Sequence, residues 1–171
     1  MALTWYTLLV GAVAGERLVE LVVARRNLAW SRAQGGIEVG FGHYPVMVVL
    51  HVGLLLGCLV EVAVLDRPFL PWLGWPMVAV LVAAQALRWW CIASLGYRWN
   101  TRVIVIPGAP RISGGPYRVF SHPNYVAVVA EGIALPLVHS AWITAVVFTA
   151  LNAVLLTARI RTENIALEKL S

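Results

Sequence analysis

Apolar runs separated by short polar breaks dominate this chain. Leu3 to Val23, Tyr44 to Leu65 and Pro71 to Leu95 are each about as long as the ~20 residues a helix needs to cross the hydrocarbon core of a bilayer. A further apolar stretch, Pro123 to Ala158, is interrupted by Pro136, His139 and Ser140 and reads as a helical hairpin turning at Val138 to Ala141. The pattern therefore predicts five membrane segments. The first hairpin arm, Pro123 to Leu137, reaches only about 22 Å at 1.5 Å per residue, short of the roughly 30 Å core. The polar stretch before it is expected to dip toward the bilayer.

That polar stretch is the longest connection, Gly96 to Ser121. It contains Trp99-Asn100-Thr101-Arg102, a β-prone run Val103 to Ile106, and Pro107-Gly108-Ala109-Pro110, a composition that does not continue a helix. Long loops of this kind are functional or disordered, and its aromatic and Val-Ile content favours order. After Asn164, Ile165, Leu167 and Leu170 alternate with Glu163, Glu168 and Lys169, the pattern of a short interfacial helix that extends the fifth segment and folds back over the loop. With no internal repeat or linker, the reading is a single domain over 1–171: three N-terminal spans in 1–95, then catalytic loop, hairpin and C-terminal helix in 96–171.

Composition sharpens the class. The chain is 60% hydrophobic over 171 residues, with a mean hydropathy of +0.79, well above a soluble domain. The expected fold is all-α, an integral membrane helical bundle with a cytoplasmic catalytic loop. Thirteen Lys and Arg against eight Asp and Glu give a net charge of +5. Ten of the basic residues fall in three places: Arg25, Arg26 and Arg32; Arg98, Arg102, Arg111 and Arg118; and Arg159, Arg161 and Lys169. The positive-inside rule then puts the N-terminus outside and these regions in the cytoplasm of a multi-pass cell-membrane protein. Met1 to Tyr6 has no basic residue, so no cleavable signal is expected. Orientation and anionic lipid explain the positive charge without nucleic acid. Cys58 and Cys91 lie within apolar helices without metal-ligand spacing, so neither a metal site nor a structural disulfide is expected.

Ionisable groups inside apolar segments are costly and mark candidate function. Glu16, Arg17 and Glu20 share the first helix, where Arg17 can pair with Glu20; Arg88 lies deep in the third helix and Glu131 in the short arm. The competing reading is interhelical polar glue, since buried charges need partners in any case. Glu61 reads as interfacial. His122 and Asn124 flank Pro123 at a helix start, where exposed N–H groups favour an anion, or simply cap the helix. Glu131 lies nine residues beyond His122, so spacing alone does not bring them together. His43 and His51 lack the matched depth of a haem pair.

Taken together, Gly115-Pro116-Tyr117-Arg118, His122-Pro123-Asn124-Tyr125, Glu131, Pro136-Leu137 and Arg161-Thr162-Glu163-Asn164 resemble the motifs of the isoprenylcysteine carboxyl methyltransferase family. The likeness covers about Leu95 to the C-terminus. Ser121 and Asn164 depart from it, standing where the family has arginine and a second glutamate. The N-terminal Glu20, Arg25-Arg26-Asn27 and His43-Tyr44-Pro45, with Trp99 to Gly108, resemble a bacterial branch associated with type III polyketide synthases, which O-methylates alkylpyrones or alkylresorcinols. The resemblance implies metal-free methyl transfer from S-adenosylmethionine at the cytoplasmic membrane face to an amphiphilic lipid acceptor. It assigns Gly115, Pro116, Tyr117, His122, Pro123, Asn124 and Tyr125 to the cofactor pocket, and Glu163 to the cofactor or its lid.

Such a donor carries a sulfonium, an amino group and a carboxylate, and needs acidic, basic and aromatic partners. A phenolic acceptor with a pKa near ~10 gains from deprotonation, for which Glu131, Glu20 or His122 are candidates. An acidic hydroxypyrone arrives already ionised. Arg161 or Arg88 can stabilise the acceptor anion. The acceptor's alkyl tail is expected to reach the site laterally between helices. Three other functions remain open: prenylcysteine carboxyl methylation, an NADPH-dependent membrane reductase, and a non-catalytic membrane scaffold.

Overall fold

A computed structural model of the chain describes residues 2–110 and 112–170; Arg111, counted among the basic residues above, lies outside them. Five helices form the molecule: α1 (Ala2–Ala33), α2 (His43–Val64), α3 (Pro71–Leu95), α4 (Pro123–Leu137) and α5 (Trp142–Leu170). By length and composition α2, α3 and α5 suffice to cross a membrane. The fold is an all-α membrane bundle. The fifteen-residue α4 is too short to span alone, as its sequence predicts. Helix α1 has ample length, but Glu16, Arg17 and Glu20 dilute its apolar run.

Two boundaries differ from expectation. Helix α1 continues ten residues past Val23 to Ala33, so Arg25, Arg26 and Arg32 ride on a helix rather than a loop. No proline or glycine lies between Val23 and Gly35, and Gly35 and Gly36 close the helix. Gly35 takes φ +77, its N–H bonds the Arg32 carbonyl, and the Gly36 N–H bonds the Ser31 carbonyl, which is the Schellman arrangement. Likewise α5 runs unbroken to Leu170, so the C-terminal residues extend the last span instead of turning back.

The extension of α1 organises the long loop. Asn27, buried, donates to the carbonyls of Gly96 (3.1 Å) and Trp99 (2.8 Å), while Trp30 stacks on Tyr97. The β-prone run becomes β2 (Val103–Val105), paired antiparallel with a strand the sequence did not announce, β1 (Ile37–Val39), in register Ile37 with Val105. Glu38, in that ribbon, pairs with Arg102 at 2.7 Å. The Arg102 guanidinium also lies over the Tyr44 ring.

At the opposite end of the bundle the core is aromatic and aliphatic. Tyr6, fully buried, donates to the Leu135 carbonyl at 2.9 Å, and Trp5, Tyr6 and Phe69 surround His139. The hairpin turn falls at Val138 to Ala141, with Ser140 at φ +57. Glu61 sits beside it: its carboxylate accepts from the backbone N–H groups of Ile143 and Thr144 and the Thr144 hydroxyl, and from Arg67. Glu61 therefore caps the positive N-terminus of α5, a more specific task than an interfacial charge.

Candidate functional site

The loop after α3 tightens into a 3-10 turn, Gly115–Arg118, packed against α3. Gly115 has φ +57, and a Cβ there would lie 2.2 Å from the Ser94 Oγ. Only glycine fits this approach without displacing α3. Pro116 is buried behind it, and Tyr117 turns its phenol toward the cavity and Cys91. Burial, then the Cys91 thiol, push the phenol's pKa up, so Tyr117 stays neutral and protonated. Pro123 then starts α4 at its first helical position, with His122 as its N-cap residue.

A cavity of about 390 Å³ opens between this loop, the β ribbon and the helices, within the size range of small-molecule sites. Tyr117, His122, Pro123, Asn124 and Tyr125 line one part of it, together with Asn152, Arg159 and Glu163 from α5. Here the Tyr125 hydroxyl donates to Glu163 at 2.7 Å. His122 stacks on the Tyr125 ring, 5.5 Å between centroids, with its Nδ1 3.8 Å from Glu163. The Arg159 guanidinium lies over the other side of this assembly, 5.9 Å from the Tyr125 ring centre, and donates to the Thr101 carbonyl at 2.9 Å.

The deeper part is lined by Arg17, Glu20, His51 and Arg88. Arg17 bridges Glu20 (2.7 Å) and Glu131 (2.9 Å), and Arg88 bridges Glu131 (3.1 Å) and Glu20 (3.5 Å). Gln85 donates to the same Glu131 oxygen at 3.1 Å. Two guanidiniums and two carboxylates thus form a neutral, closed ring on α1, α3 and α4. The wall between α1 and α2 is apolar, with Ala14, Leu18, Val52 and Leu55, and Leu18 and Val52 are also exposed on the outer surface. The cavity is therefore open along an exposed apolar seam between α1 and α2.

Several sequence-derived assignments change in this light. Glu131 is buried and does not line the cavity; its Oε2 already accepts from Arg17, Gln85 and Arg88. It holds the two arginines in place. Arg161 is exposed and outside the cavity, whereas Arg159, two residues earlier, is buried at 4% exposure in its wall. Residues two apart on a helix point about 200° apart, so only one of this pair can face inward. The signal was available: Asn152, Leu155, Leu156, Arg159 and Glu163 recur at helical spacing and all line the cavity. Gly115 and Pro116 support the wall without lining it. Ser121 and Asn164 are both exposed, outside this cavity.

Buried polar atoms without a hydrogen-bond partner are rare in finished cores. Among the described residues, the Nε atoms of Arg17, Arg88 and Arg159, the Trp99 Nε1, the Oδ1 atoms of Asn124 and Asn152 and the Glu20 Oε1 belong to this class, and all seven residues line this cavity. Such a wall suits a polar ligand.

Residues 77–169 match the model of the isoprenylcysteine carboxyl methyltransferase family. The chain is 38% identical over 167 residues to the uncharacterized protein YpbQ of Bacillus subtilis, covering 97% of this chain and 98% of that one. It is 24% identical over 157 residues to an uncharacterized protein of Haemophilus influenzae, covering 90% of each. No solved structure matches it.

Proposed function

Because the chain belongs to the isoprenylcysteine carboxyl methyltransferase family, membrane enzymes whose methyl donor is S-adenosylmethionine, we propose that it methylates the hydroxyl of an amphiphilic lipid, an alkylpyrone or alkylresorcinol. One observation carries this reading. A single cavity joins a polar lobe on the loop, α4 and α5 to a charged lobe that opens through apolar residues on the α1–α2 seam.

The donor set suits S-adenosylmethionine. Glu163 offers a carboxylate to its amino or ribose groups; Arg159 and the N–H groups at the start of α4 suit its carboxylate. Tyr117, His122 and Tyr125 supply aromatic faces for the adenine and the sulfonium. The bound cofactor supplies an electrophilic methyl group on sulfur. The chain's own residues supply placement, since in-line displacement depends mainly on holding acceptor and donor together in a dry site. Arg17 and Arg88, fixed by Glu131, present positive charge to an acceptor oxygen as it ionises. Glu20, with one oxygen free of hydrogen bonds, faces the same lobe.

The acceptor's alkyl tail lies along Leu18, Val52 and Leu55 and reaches the site from the bilayer. A type III polyketide synthase is the class of enzyme that supplies such acceptors. The basic residues on the loop and at the ends of α1 and α5 support a cytoplasmic position for the polar lobe. Calorimetric titration of S-adenosylhomocysteine into detergent-purified protein tests the cofactor assignment. Saturable binding, unaffected by NADPH and lost in His122→Ala, is expected. Indifference to S-adenosylhomocysteine with affinity for NADPH would overturn it. Methyl transfer assayed on alkylpyrone, alkylresorcinol and prenylcysteine acceptors then decides the substrate; turnover of prenylcysteine alone would replace the hydroxyl acceptor with the family's namesake carboxyl.

A further inference from the structure

We infer that His51 is the general base that takes the proton from a neutral hydroxyl acceptor. The inference rests on the proposed methyl transfer and adds a residue to it.

His51 lies on α2 and lines the charged lobe of the cavity. Its Nδ1 is 2.8 Å from the carbonyl of Met47, one turn earlier. A carbonyl only accepts, so in the neutral ring Nδ1 carries the hydrogen and Nε2 is left with its lone pair. The edge-on Phe148 ring, 5.5 Å away on α5, packs against the imidazole. Both its tautomer and its setting are therefore fixed, as a base needs.

The surrounding charges leave this task to His51. Arg17 and Glu20 face the lobe from α1 and Arg88 from α3, with Glu131 of α4 behind them. Glu131 does not line the cavity, and its Oε2 accepts from three donors. Glu20 is held by both arginines as a member of the closed ring that fixes them. His122 lies in the other lobe, beside Glu163. His51 is the neutral ring that shares the lobe with two cations able to stabilise an oxyanion.

The step balances as follows. The acceptor O–H bond breaks and its proton passes to Nε2, leaving the electron pair on oxygen. That oxygen forms the new bond to the methyl carbon while the carbon–sulfur bond breaks with its pair going to sulfur. The products are the methyl ether, S-adenosylhomocysteine and an imidazolium that returns its proton to water.

Three readouts test this. His51→Asn can still donate to the Met47 carbonyl but lacks Nε2; His51→Gln adds an acceptor oxygen that cannot take a proton. Both variants are expected to lower kcat on an alkylresorcinol about 100-fold. On an already ionised alkylpyrone, kcat should change by less than about threefold, and the affinity for S-adenosylhomocysteine should stay within about twofold. Equal losses on both acceptors, no loss on the resorcinol, or rescue by glutamine would overturn the assignment. The third readout needs no cofactor: absorbance of a bound alkylated 4-nitrophenol at pH 7. Wild type should hold more of it ionised than either variant, and equal ionisation in all three would overturn the assignment even if methyl transfer itself were confirmed. Absence of methyl transfer alongside the expected difference in ionisation would instead sink the proposed reaction and leave the base in place.

Discussion

Glu61 and Glu20 are both buried carboxylates on apolar helices, at opposite ends of the bundle, and their surroundings differ in one respect. Around Glu61 both oxygens are satisfied: two backbone N–H groups, the Thr144 hydroxyl and Arg67 converge on them. Around Glu20 one carboxylate oxygen is only loosely ion-paired with the Arg88 Nε, at 3.5 Å, neither these atoms nor the Arg17 Nε has a hydrogen bond, and all three residues line a cavity. A satisfied carboxylate holds helices together. One left short, where partners were within reach, keeps capacity for something else.

The comparison breaks most sharply at Glu131, the hub of the charged lobe. Glu131→Ala leaves two guanidiniums sharing the single carboxylate of Glu20, and this uncompensated buried positive charge should cost about 3–5 kcal/mol of stability, seen as a lower melting temperature in detergent, together with loss of methyl transfer. At the other end, Glu61→Ala removes the cap of α5 and should cost about 2 kcal/mol, again read by thermal melting. In contrast to Glu131, the folded protein should keep its affinity for S-adenosylhomocysteine within about twofold. Unchanged stability of Glu61→Ala would erase the distinction. In the polar lobe, Tyr125→Phe deletes the hydrogen bond to Glu163 and should weaken S-adenosylhomocysteine about tenfold, or ~1.4 kcal/mol, measured by calorimetry. Smallest of all, Arg161→Ala should move stability by no more than about 0.5 kcal/mol and binding by less than about twofold. A large loss at Arg161 would mean that α5 turns a different face to the cavity.

Much of this architecture is written locally. The spans follow from run length, the hairpin from Pro136, His139 and Ser140, and the helix start from His122-Pro123. The loop motifs around Tyr117 and Tyr125 were visible because turn chemistry and aromatic residues cluster within a dozen positions. Strand β1 was not visible: three residues, Ile37–Val39, carry no usable alternation until β2 pairs with them. Gln85 and His51 were obscure for a different reason. Each is one polar residue in an apolar helix, and its meaning comes from which neighbours α1, α4 and α5 bring to it. Arg159 and Arg161 differ only in helical phase, which motif matching ignores and face counting recovers.

The shortness of α4 has a further consequence. Its fifteen residues cover about 22 Å, so His122 and Tyr125 at its start lie several ångströms inside the roughly 30 Å depth of a typical core. A bilayer must thin, or the bundle must tilt, to let water reach them. If α4 reaches one face of the bilayer at its far end, turnover is expected to follow hydrophobic mismatch, rising in lipids with shorter chains and falling in lipids with longer ones. The membrane is in this sense a tuning element for the enzyme as well as its solvent.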